Sequence, residues 1–395
     1  MRQPYPHPMM PQANHDELAR QNIVAQVKMF MEDEVYPADR MVFESVVRPE
    51  LKRTGKEPGT KHDVRAAMRK NEHYQTWSSI CRTLQEMNWY NTGEIVERQL
   101  PALIQNAKDL SREPIGSVQL DPTLDVPRYN SEIDIHCMPG GYHTEIAADD
   151  VFAGALYDRG AHYYGVPIMG KVGHGVVDRP GRMFKERTAR LAIEAIKTCF
   201  PDLNPRRILD MGCTGGGSTL AYKEAFPDAE VHGIDIAAPQ VRYAHARAEG
   251  LGKCVHFSQQ NAESTSLPDG HFDLVTSHGL AHETSSKAIR RILKECHRLL
   301  RRGGVTMHFD PQFSRGLDPY DSAMHDWDAY NNNEPFWGTL HETPAIGLLT
   351  QAGFRECDVV DLWGTFDAEM NVSVMPANDR DSSLSRASLF GARKY

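Results

Sequence analysis

The sequence predicts an α/β fold in which a parallel sheet covered by helices follows a mainly helical N-terminal part. From residue 206 onward, short apolar runs alternate with amphipathic helical segments. This alternation is typical of a parallel sheet with helices on both faces. Before residue 145, most apolar residues recur at helical spacing. The chain has 395 residues, which is enough for two domains of about 100–200 residues each.

The same patterns set the expected domain boundaries. We expect a disordered tail rich in proline and polar residues, then a mainly helical domain, then the α/β domain, over residues 1–15, 16–145 and 146–395. By analogy, the helical domain would act as a lid, a substrate-recognition module or a dimerisation domain. A homodimer is therefore one expected assembly.

Within the helical domain, apolar residues at helical spacing predict helices over 16–35 and 73–90. Residues 91–93, Asn-Thr-Gly, are typical of a turn. The alternation of apolar and polar residues over 133–137 predicts a short strand. A glycine-rich loop is expected over 165–181.

The α/β domain shows seven candidate strands. They lie at 207–211, 231–236, 255–259, 272–277, 305–310, 358–363 and 387–393. Three amphipathic helices are predicted between them, at 218–226, 239–249 and 286–300.

Composition argues against several classes of partner. The formal net charge is −9, whereas duplex-binding proteins usually present a basic patch, so no nucleic-acid partner is expected. The seven cysteines form no C-x-x-C pair, which favours reduced thiols in the cytoplasm, and no metal site is predicted. No apolar stretch reaches the roughly 18 residues of a membrane span, and the N-terminus lacks the apolar core of a secretory signal.

The main functional signal is a glycine-rich turn between a strand and a helix, at residues 208–218. Glycine suits such a turn because the backbone must bend tightly and approach a ligand closely. Ser218 can cap the helix that follows. Alone, this turn fits either a dinucleotide or S-adenosylmethionine (SAM).

Asp235 ends the next strand, 25 positions after Asp210. A carboxylate at this place can accept hydrogen bonds from both ribose hydroxyls. Thr214 stands where a dinucleotide fingerprint needs a second glycine for the pyrophosphate to approach. SAM has no phosphate, so Thr214 favours SAM over NAD.

Residues 206–310 resemble the class I SAM-dependent methyltransferases, most nearly the group containing ubiquinone and menaquinone C-methyltransferases and natural-product methyltransferases. Asp210–Gly217 is similar to the glycine loop of this family, and Asp235 to its ribose-binding acid. Residues 261–263 resemble its adenine-side segment, and Leu299–Gly304 resembles the turn before its fifth strand. The resemblance implies a seven-stranded Rossmann-like methyltransferase sheet whose last strand runs antiparallel.

The resemblance also implies SAM as the cofactor and a set of residues that bind it. These residues are Asp210, Gly212, Cys213, Thr214, Gly215, Gly217, Asp235, Ile236, Gln240, Asn261, Ala262, Glu263, Ser277 and His278. Two positions depart from the family pattern. Thr214 replaces a common glycine, and Asn261 replaces the usual aspartate that accepts from the adenine amino group. An asparagine can still accept through its amide oxygen.

Candidates for a catalytic base are His278, His282 and Glu283, which follow the fourth predicted strand of the α/β domain. The carboxyl ends of such strands face the ligand crevice, and a histidine of near-neutral pKa suits removal of a hydroxyl proton. The structural alternatives are packing of His278 over the cofactor and a hydrogen-bonded His282–Glu283 pair at a helix start.

Aromatic residues mark the expected acceptor pocket. Tyr157 and Tyr164 lie in a predicted helix before the α/β sheet, and Trp327 and Trp337 cluster after its fifth strand. With His282, these residues are predicted to bind the acceptor, because aromatic side chains can cover an apolar ligand. Simple packing of the same aromatics is the alternative.

The predicted function is transfer of a methyl group from SAM to a small-molecule acceptor, by in-line displacement and preferentially at oxygen. Carbon, nitrogen and sulfur acceptors stay open. The alternatives are a SAM-binding protein without transferase activity and a methyltransferase acting on RNA or protein. The acidic net charge and the absence of an N-P-P-Y-like sequence at residues 277–280 argue against common base-amine modification.

Overall fold

The computed structural model describes residues 4–164, 184–310, 317–366, 372–376 and 387–395. The predicted glycine-rich loop at 165–181 therefore lies outside the described residues. In the described part, a helical N-terminal region packs against a nine-stranded sheet. None of the helices described is long and apolar enough to cross a membrane.

The N-terminal region contains eight described α-helices. They are α1 His15–Phe30, α2 Tyr36–Val42, α3 Arg48–Arg53, α4 Lys61–Met68, α5 Glu72–Glu97, α6 Leu100–Leu110, α7 Arg128–Ser131 and α8 Phe152–Tyr164. Asn14 starts α1 with a capping box: its side chain accepts from the Glu17 amide, and the Glu17 carboxylate accepts from the Asn14 amide. Short π-helical turns join α1 to α2 and α2 to α3.

The sheet is built from nine strands. They are β1 Ser117–Gln119, β2 Arg207–Met211, β3 Glu230–Asp235, β4 His256–Gln259, β5 Phe272–His278, β6 Leu300–Asp310, β7 Val359–Phe366, β8 Val372–Pro376 and β9 Ala387–Arg393. The strand order is β1-β4-β3-β2-β5-β6-β9-β7-β8. β1 to β6 pair in parallel, whereas β9 runs antiparallel to both β6 and β7.

Helices cover both faces of the sheet. The described helices after residue 183 are α9 Phe184–Cys199, α10 Gly217–Ala225, α11 Ala238–Gly250, α12 Ser286–Leu299, α13 Pro319–His325, α14 Trp327–Asn331, α15 Trp337–Glu342 and α16 Ala345–Ala352. Of these, α13 and α14 pack against helices of the N-terminal region. Ile208 and Leu274 pack with α9 to α11 on one face, and Leu209 and Val275 pack with α12 and α16 on the other. Both faces are buried, which explains why the strands are continuous apolar runs in the sequence.

The predicted α/β fold is confirmed, with two additions. All seven predicted strands form, and the last one is antiparallel as expected. The short strands β1 and β8 extend the sheet at its two edges. β1 is three residues long and lies in the region predicted to be separate and helical, so this region contributes to the sheet of the α/β domain.

Three local expectations differ from the structure. Residues 91–93 do not turn, because α5 runs through them and Thr92 is buried, where its hydroxyl accepts from the Gln21 side chain at 3.1 Å. Residues 135–137 form a 3-10 turn and not a strand, since His136 takes a left-handed conformation with φ of 59°. The expected disordered tail is ordered from residue 4, and Met9 is fully buried.

A buried polar contact joins this N-terminal segment to the α/β core. Asp158 on α8 accepts from the Tyr243 hydroxyl on α11 at 2.7 Å, and His7 Nε2 lies 2.8 Å from the same carboxylate oxygen. Burial acts to raise the pKa of the Asp158 carboxyl, but Arg247 and these two hydrogen bonds hold the pKa below its usual value. The charged carboxylate therefore fixes the N-terminal segment and α8 on the core.

We expect Tyr243→Phe to lower the free energy of unfolding by about 1–3 kcal/mol, because the buried Asp158 carboxylate loses a donor. Urea unfolding followed by circular dichroism measures this change. Tyr330→Phe is the matched control, since Tyr330 is 46% exposed. A loss no larger than that of the control would show that Asp158 does not depend on the Tyr243 hydroxyl.

Candidate active site

A cavity of about 650 Å³, open to solvent, lies at the carboxyl ends of the parallel strands. Ligands of open α/β sheets bind at this edge. Its lining residues come from both regions of the chain: Tyr129, Asn130, Tyr142, Gly212, Thr214, Ile234, Asp235, Ile236, Gln260, Asn261, Ala262, Gly279, Leu280, Glu283, Thr284 and Ile292. The cavity thus has one wall from the glycine turn and another from the N-terminal region and the segment after β5.

The glycine turn follows β2 and is hydrogen-bonded to the neighbouring strand β3. The amides of Gly212 and Cys213 both donate to the Ile234 carbonyl, at 2.8 and 3.0 Å. Gly212 has φ of +69°, and a Cβ there would lie 2.9 Å from the Leu280 side chain. This position therefore requires glycine, which lets the backbone form the cavity wall.

Asp235 is held by the same turn. Its carboxylate accepts from the Thr214 amide at 2.9 Å and from the Ala237 amide at 3.0 Å. Thr214 has φ of 45°, an uncommon conformation for a β-branched residue, and this conformation aims its amide at Asp235. A carboxylate accepts up to about four hydrogen bonds, so these two are compatible with further donors such as ribose hydroxyls.

Asp210 organises the turn from behind. It is fully buried at the end of β2, and its Oδ2 accepts from the hydroxyls of Ser218 and Thr219 at 2.6 and 2.7 Å. These bonds fix the first turn of α10. Asp210 is absent from the cavity lining given above, so its side chain acts on the loop that forms the wall.

The segment predicted to lie beside adenine forms another part of the cavity lining. Asn261 and Ala262 line the cavity, and Asn261 Oδ1 accepts from the Glu263 amide at 2.9 Å. The Glu263 carboxylate points away to Tyr129, whose hydroxyl donates to it at 2.8 Å, and to Arg291 at 3.2 Å. Glu263 therefore positions Tyr129, a cavity residue that sequence reasoning missed.

The second wall carries a cluster of titratable side chains around Glu283. Glu283 Oε1 accepts from the Tyr142 hydroxyl at 2.9 Å and lies 3.0 Å from His136 Nε2. Glu283 Oε1 is also 3.7 Å from His282 Nε2. Glu283 and Tyr142 line the cavity, whereas the two histidines lie buried behind them.

Carboxylates set the charge of both histidines. His282 Nδ1 is 2.7 Å from Asp310, and burial opposes but does not cancel the rise in the pKa of His282 that Asp310 causes. His136 Nδ1 lies 2.7 Å from Glu334. Burial acts to lower the pKa of His136, but Glu334 and Glu283 raise it to about 10. Positive charge is thus favoured at this cluster.

Several residues predicted to bind the cofactor lie outside the lining of this cavity. Cys213, Gly215, Gly217 and Gln240 belong to the turn and the adjoining helices, and the side chains of Cys213 and Gln240 are buried. Ser277 contacts His308 at 2.8 Å. His278, also a candidate base, lies 3.2 Å from the Tyr222 hydroxyl and stacks on Phe309, an environment typical of a core residue.

The predicted acceptor-binding aromatics take different places. Tyr157 packs on Tyr142 with ring centroids 5.3 Å apart, which supports the cavity wall from behind. Trp337 packs on His282 at 4.8 Å. Trp327 packs on Trp77 of α5 and its indole donates to Ser78, so it joins the helical region. The side chain of Tyr164 lies outside the described residues.

Residues from the N-terminal region were missing from the sequence-based site. Tyr129 lies in the short helix α7, His136 in a 3-10 turn and Tyr142 in the loop that follows. The three residues show no recognisable spacing and precede the glycine turn by more than 60 positions. Glu334 lies within the aromatic segment after β6 and is fully buried beside His136. The only sequence hint at this wall was the His282–Glu283 pair.

Comparison with known proteins identifies the core of this site. The family described as "Methyltransferase domain" matches residues 208–304. Demethylmenaquinone methyltransferase of Thermus thermophilus is 37% identical over 110 residues, covering 27% of this chain and 49% of that protein. Ajmaline N-methyltransferase of Rauvolfia serpentina is 33% identical over 145 residues, covering 34% and 47%. Fatty-acid O-methyltransferase of Mycolicibacterium smegmatis is 26% identical over 125 residues, covering 32% and 44%.

The matched residues include the segments that form the cavity wall around the glycine turn. The chain spans about half the length of the first two relatives. The matched residues 208–304 include the glycine turn, Asp235 and Asn261. The last strand, β9, runs antiparallel to β6 as the resemblance implies, and the sheet has two short strands beyond the seven expected. The chain therefore carries a class I SAM-dependent methyltransferase domain.

Proposed function

We propose that this protein transfers a methyl group from SAM to a small-molecule acceptor, with a hydroxyl oxygen as the favoured acceptor atom. The observation that supports this most directly is that Asp235 and Glu283 line one cavity. The first is the expected ribose-binding acid, and the second belongs to a cluster that can exchange protons. The cavity is open to solvent and is lined by apolar side chains with a few polar groups, which suits a small ligand.

The residues present fit SAM. Asp235 would hold the ribose hydroxyls, the Gly212 backbone would allow close approach, and Asn261 and Ala262 would face the adenine side. SAM supplies a methyl group activated by its positive sulfur, so transfer breaks the carbon–sulfur bond, forms the bond to the acceptor and leaves S-adenosylhomocysteine. The protein's contribution is to position the acceptor, exclude water and receive a proton.

Glu283 is the member of the cluster best placed to receive that proton. It lines the cavity, whereas His282 lies behind it and acts as a positioning residue. Tyr142 would orient the acceptor from the same wall through its hydroxyl, which already donates to Glu283. Hydroxyl acceptors need proton removal, which a neutral amine or thioether does not. The presence of this cluster therefore favours a hydroxyl oxygen or an activated carbon over a neutral amine or thioether, and we take oxygen as the first candidate.

The known relatives differ in acceptor, so their names alone do not select one. Those names place methyl groups on the nitrogen of ajmaline and on the oxygen of a fatty acid. The part of this chain that supplies Tyr129, Tyr142 and His136 lies outside residues 208–304. Acceptor choice would therefore depend on residues outside the matched methyltransferase domain.

We expect Asp235→Ala to weaken binding of S-adenosylhomocysteine by about 1–3 kcal/mol, the range for hydrogen bonds to a charged group. Isothermal calorimetry measures this loss. The control is Asp228→Ala, which removes an exposed carboxylate just before β3. Equal affinity in the two variants would show that Asp235 does not hold the ribose.

We expect Glu283→Gln to lower methyl transfer by about 100- to 10,000-fold, the usual contribution of a general base. Affinity for S-adenosylhomocysteine should stay unchanged, because Glu283 lies on the wall of the cavity that does not contain Asp235. Transfer is measured from labelled SAM into a metabolite extract, with Glu356→Gln, an exposed site, as control. Wild-type protein that binds S-adenosylhomocysteine but labels nothing would favour a SAM-binding protein without transferase activity. Label appearing in RNA or protein would favour the macromolecular alternative.

A further inference from the structure

Two histidines far apart in the sequence direct the same ring nitrogen at one carboxylate. His136 Nε2 lies 3.0 Å and His282 Nε2 lies 3.7 Å from Glu283 Oε1. One ligand atom from each of these three residues lies within 4.8 Å of the others. Such separations are close to those between neighbouring ligands of one metal ion, since metal–ligand bonds of about 2.0–2.2 Å place two ligand atoms roughly 3–4 Å apart.

The opposite nitrogen of each histidine is held by a buried carboxylate. His136 Nδ1 lies 2.7 Å from Glu334 Oε1, and His282 Nδ1 lies 2.7 Å from Asp310 Oδ1. Metal-binding histidines almost always place their second nitrogen on a carboxylate, carbonyl or water, which fixes the ring and increases its basicity. Here both rings are fixed in this way, with both Nε2 atoms directed at Glu283.

The outer residues are themselves fixed by hydrogen bonds. Asp310 accepts from the Ala281 amide at 3.0 Å, and Glu334 accepts from the Asn332 side chain at 2.7 Å. These bonds define the orientation of each carboxylate before any ligand enters. The position of each Nε2 atom is therefore fixed by the carboxylate on the opposite ring nitrogen and by the hydrogen bond that holds this carboxylate.

The backbone at His136 is also constrained to present the ring. His136 and Cys137 are consecutive non-glycine residues with φ of 59° and 58°. The His136 carbonyl accepts from the Trp89 indole at 2.7 Å and from the Gln85 amide at 2.8 Å, both on α5. Left-handed conformations at such residues are strained and persist only where the surroundings impose them.

We propose that His136, His282 and Glu283 bind a divalent first-row transition metal ion. Two histidines and one carboxylate form a recognised ligand set that leaves coordination positions open. Glu283, Glu334 and Asp310 supply three carboxylates to two imidazoles in a buried space, and a divalent cation offsets two of these three negative charges without protons on either Nε2. The ion lies at the cavity wall, because Glu283 lines the cavity.

The role of the ion rests on the proposed function. His136, His282 and Glu283 would hold the ion, and the ion would lower the pKa of a hydroxyl acceptor bound to it. In this version Glu283 would be a ligand, the acceptor proton would pass to water in the solvent-open cavity, and the acceptor oxygen would take the methyl group from SAM and leave S-adenosylhomocysteine. Glu283→Gln should lose activity whether Glu283 acts as a general base or as a metal ligand. Metal binding must therefore be measured directly.

The test is a titration of the full-length, chelator-treated protein with Co²⁺ alone, without SAM or acceptor. We expect one equivalent to bind with visible absorption bands, and Cu²⁺ to displace it, since the affinity of such sites generally increases from Co²⁺ to Cu²⁺. Glu283→Gln and Asp310→Asn should each weaken binding by at least tenfold, the lower end for a ligand's supporting carboxylate.

The matched control is His232→Gln. His232 contacts Glu230 at 2.9 Å in a half-buried pair outside the cluster, and its loss should leave Co²⁺ affinity unchanged. A folded wild type that binds no Co²⁺, or that binds it equally well in Glu283→Gln, would overturn the proposal. Binding of S-adenosylhomocysteine is measured on the same samples. It distinguishes failure of the metal proposal from failure of the proposed function, because Asp235 and the glycine turn do not belong to the cluster of His136, His282 and Glu283.

Discussion

The hydrogen bonds between the glycine turn and β3 are the constraint on which the site depends. Gly212 and Cys213 donate to the Ile234 carbonyl, and the Thr214 amide donates to Asp235. Together they join the carboxyl ends of two parallel strands and fix the acid at the cavity wall. Asp210 maintains the turn through its bonds to the start of α10. A substitution in the glycine turn would therefore displace the Asp235 carboxylate even though Asp235 itself is unchanged.

The opposite wall depends on the N-terminal region in a comparable way. α5 holds the carbonyl of His136, and Tyr142 donates to Glu283, so helices outside the matched domain complete the acceptor side. The same region is fixed on the core by the buried Asp158 carboxylate. The helical region is therefore part of the site. This arrangement supports the expectation that it acts in substrate recognition, and a dimerisation role stays a prediction.

The sequence was sufficient where local chemistry decides the structure. Strands buried on both faces must be apolar runs, and the turn at Gly212 requires glycine, so the sheet and Asp235 could be predicted. It was insufficient where distant contacts decide. α5 continues through residues 91–93 because packing against Gln21 stabilises Thr92 within the helix. His136 and Glu334 are 198 positions apart and carry no spacing pattern, so only the fold reveals their contact.

We propose that Asp235, as the acid that binds the ribose, and the Glu283 cluster serve one ligand cavity. A crystal structure of the full-length protein with S-adenosylhomocysteine tests it most directly. We predict that the ribose hydroxyls lie within hydrogen-bond distance of the Asp235 carboxylate and that the sulfur lies on the side of the cavity lined by Tyr142 and Glu283. S-adenosylhomocysteine bound away from Asp235, or a cavity in which protein separates its sulfur from Glu283, would contradict the claim.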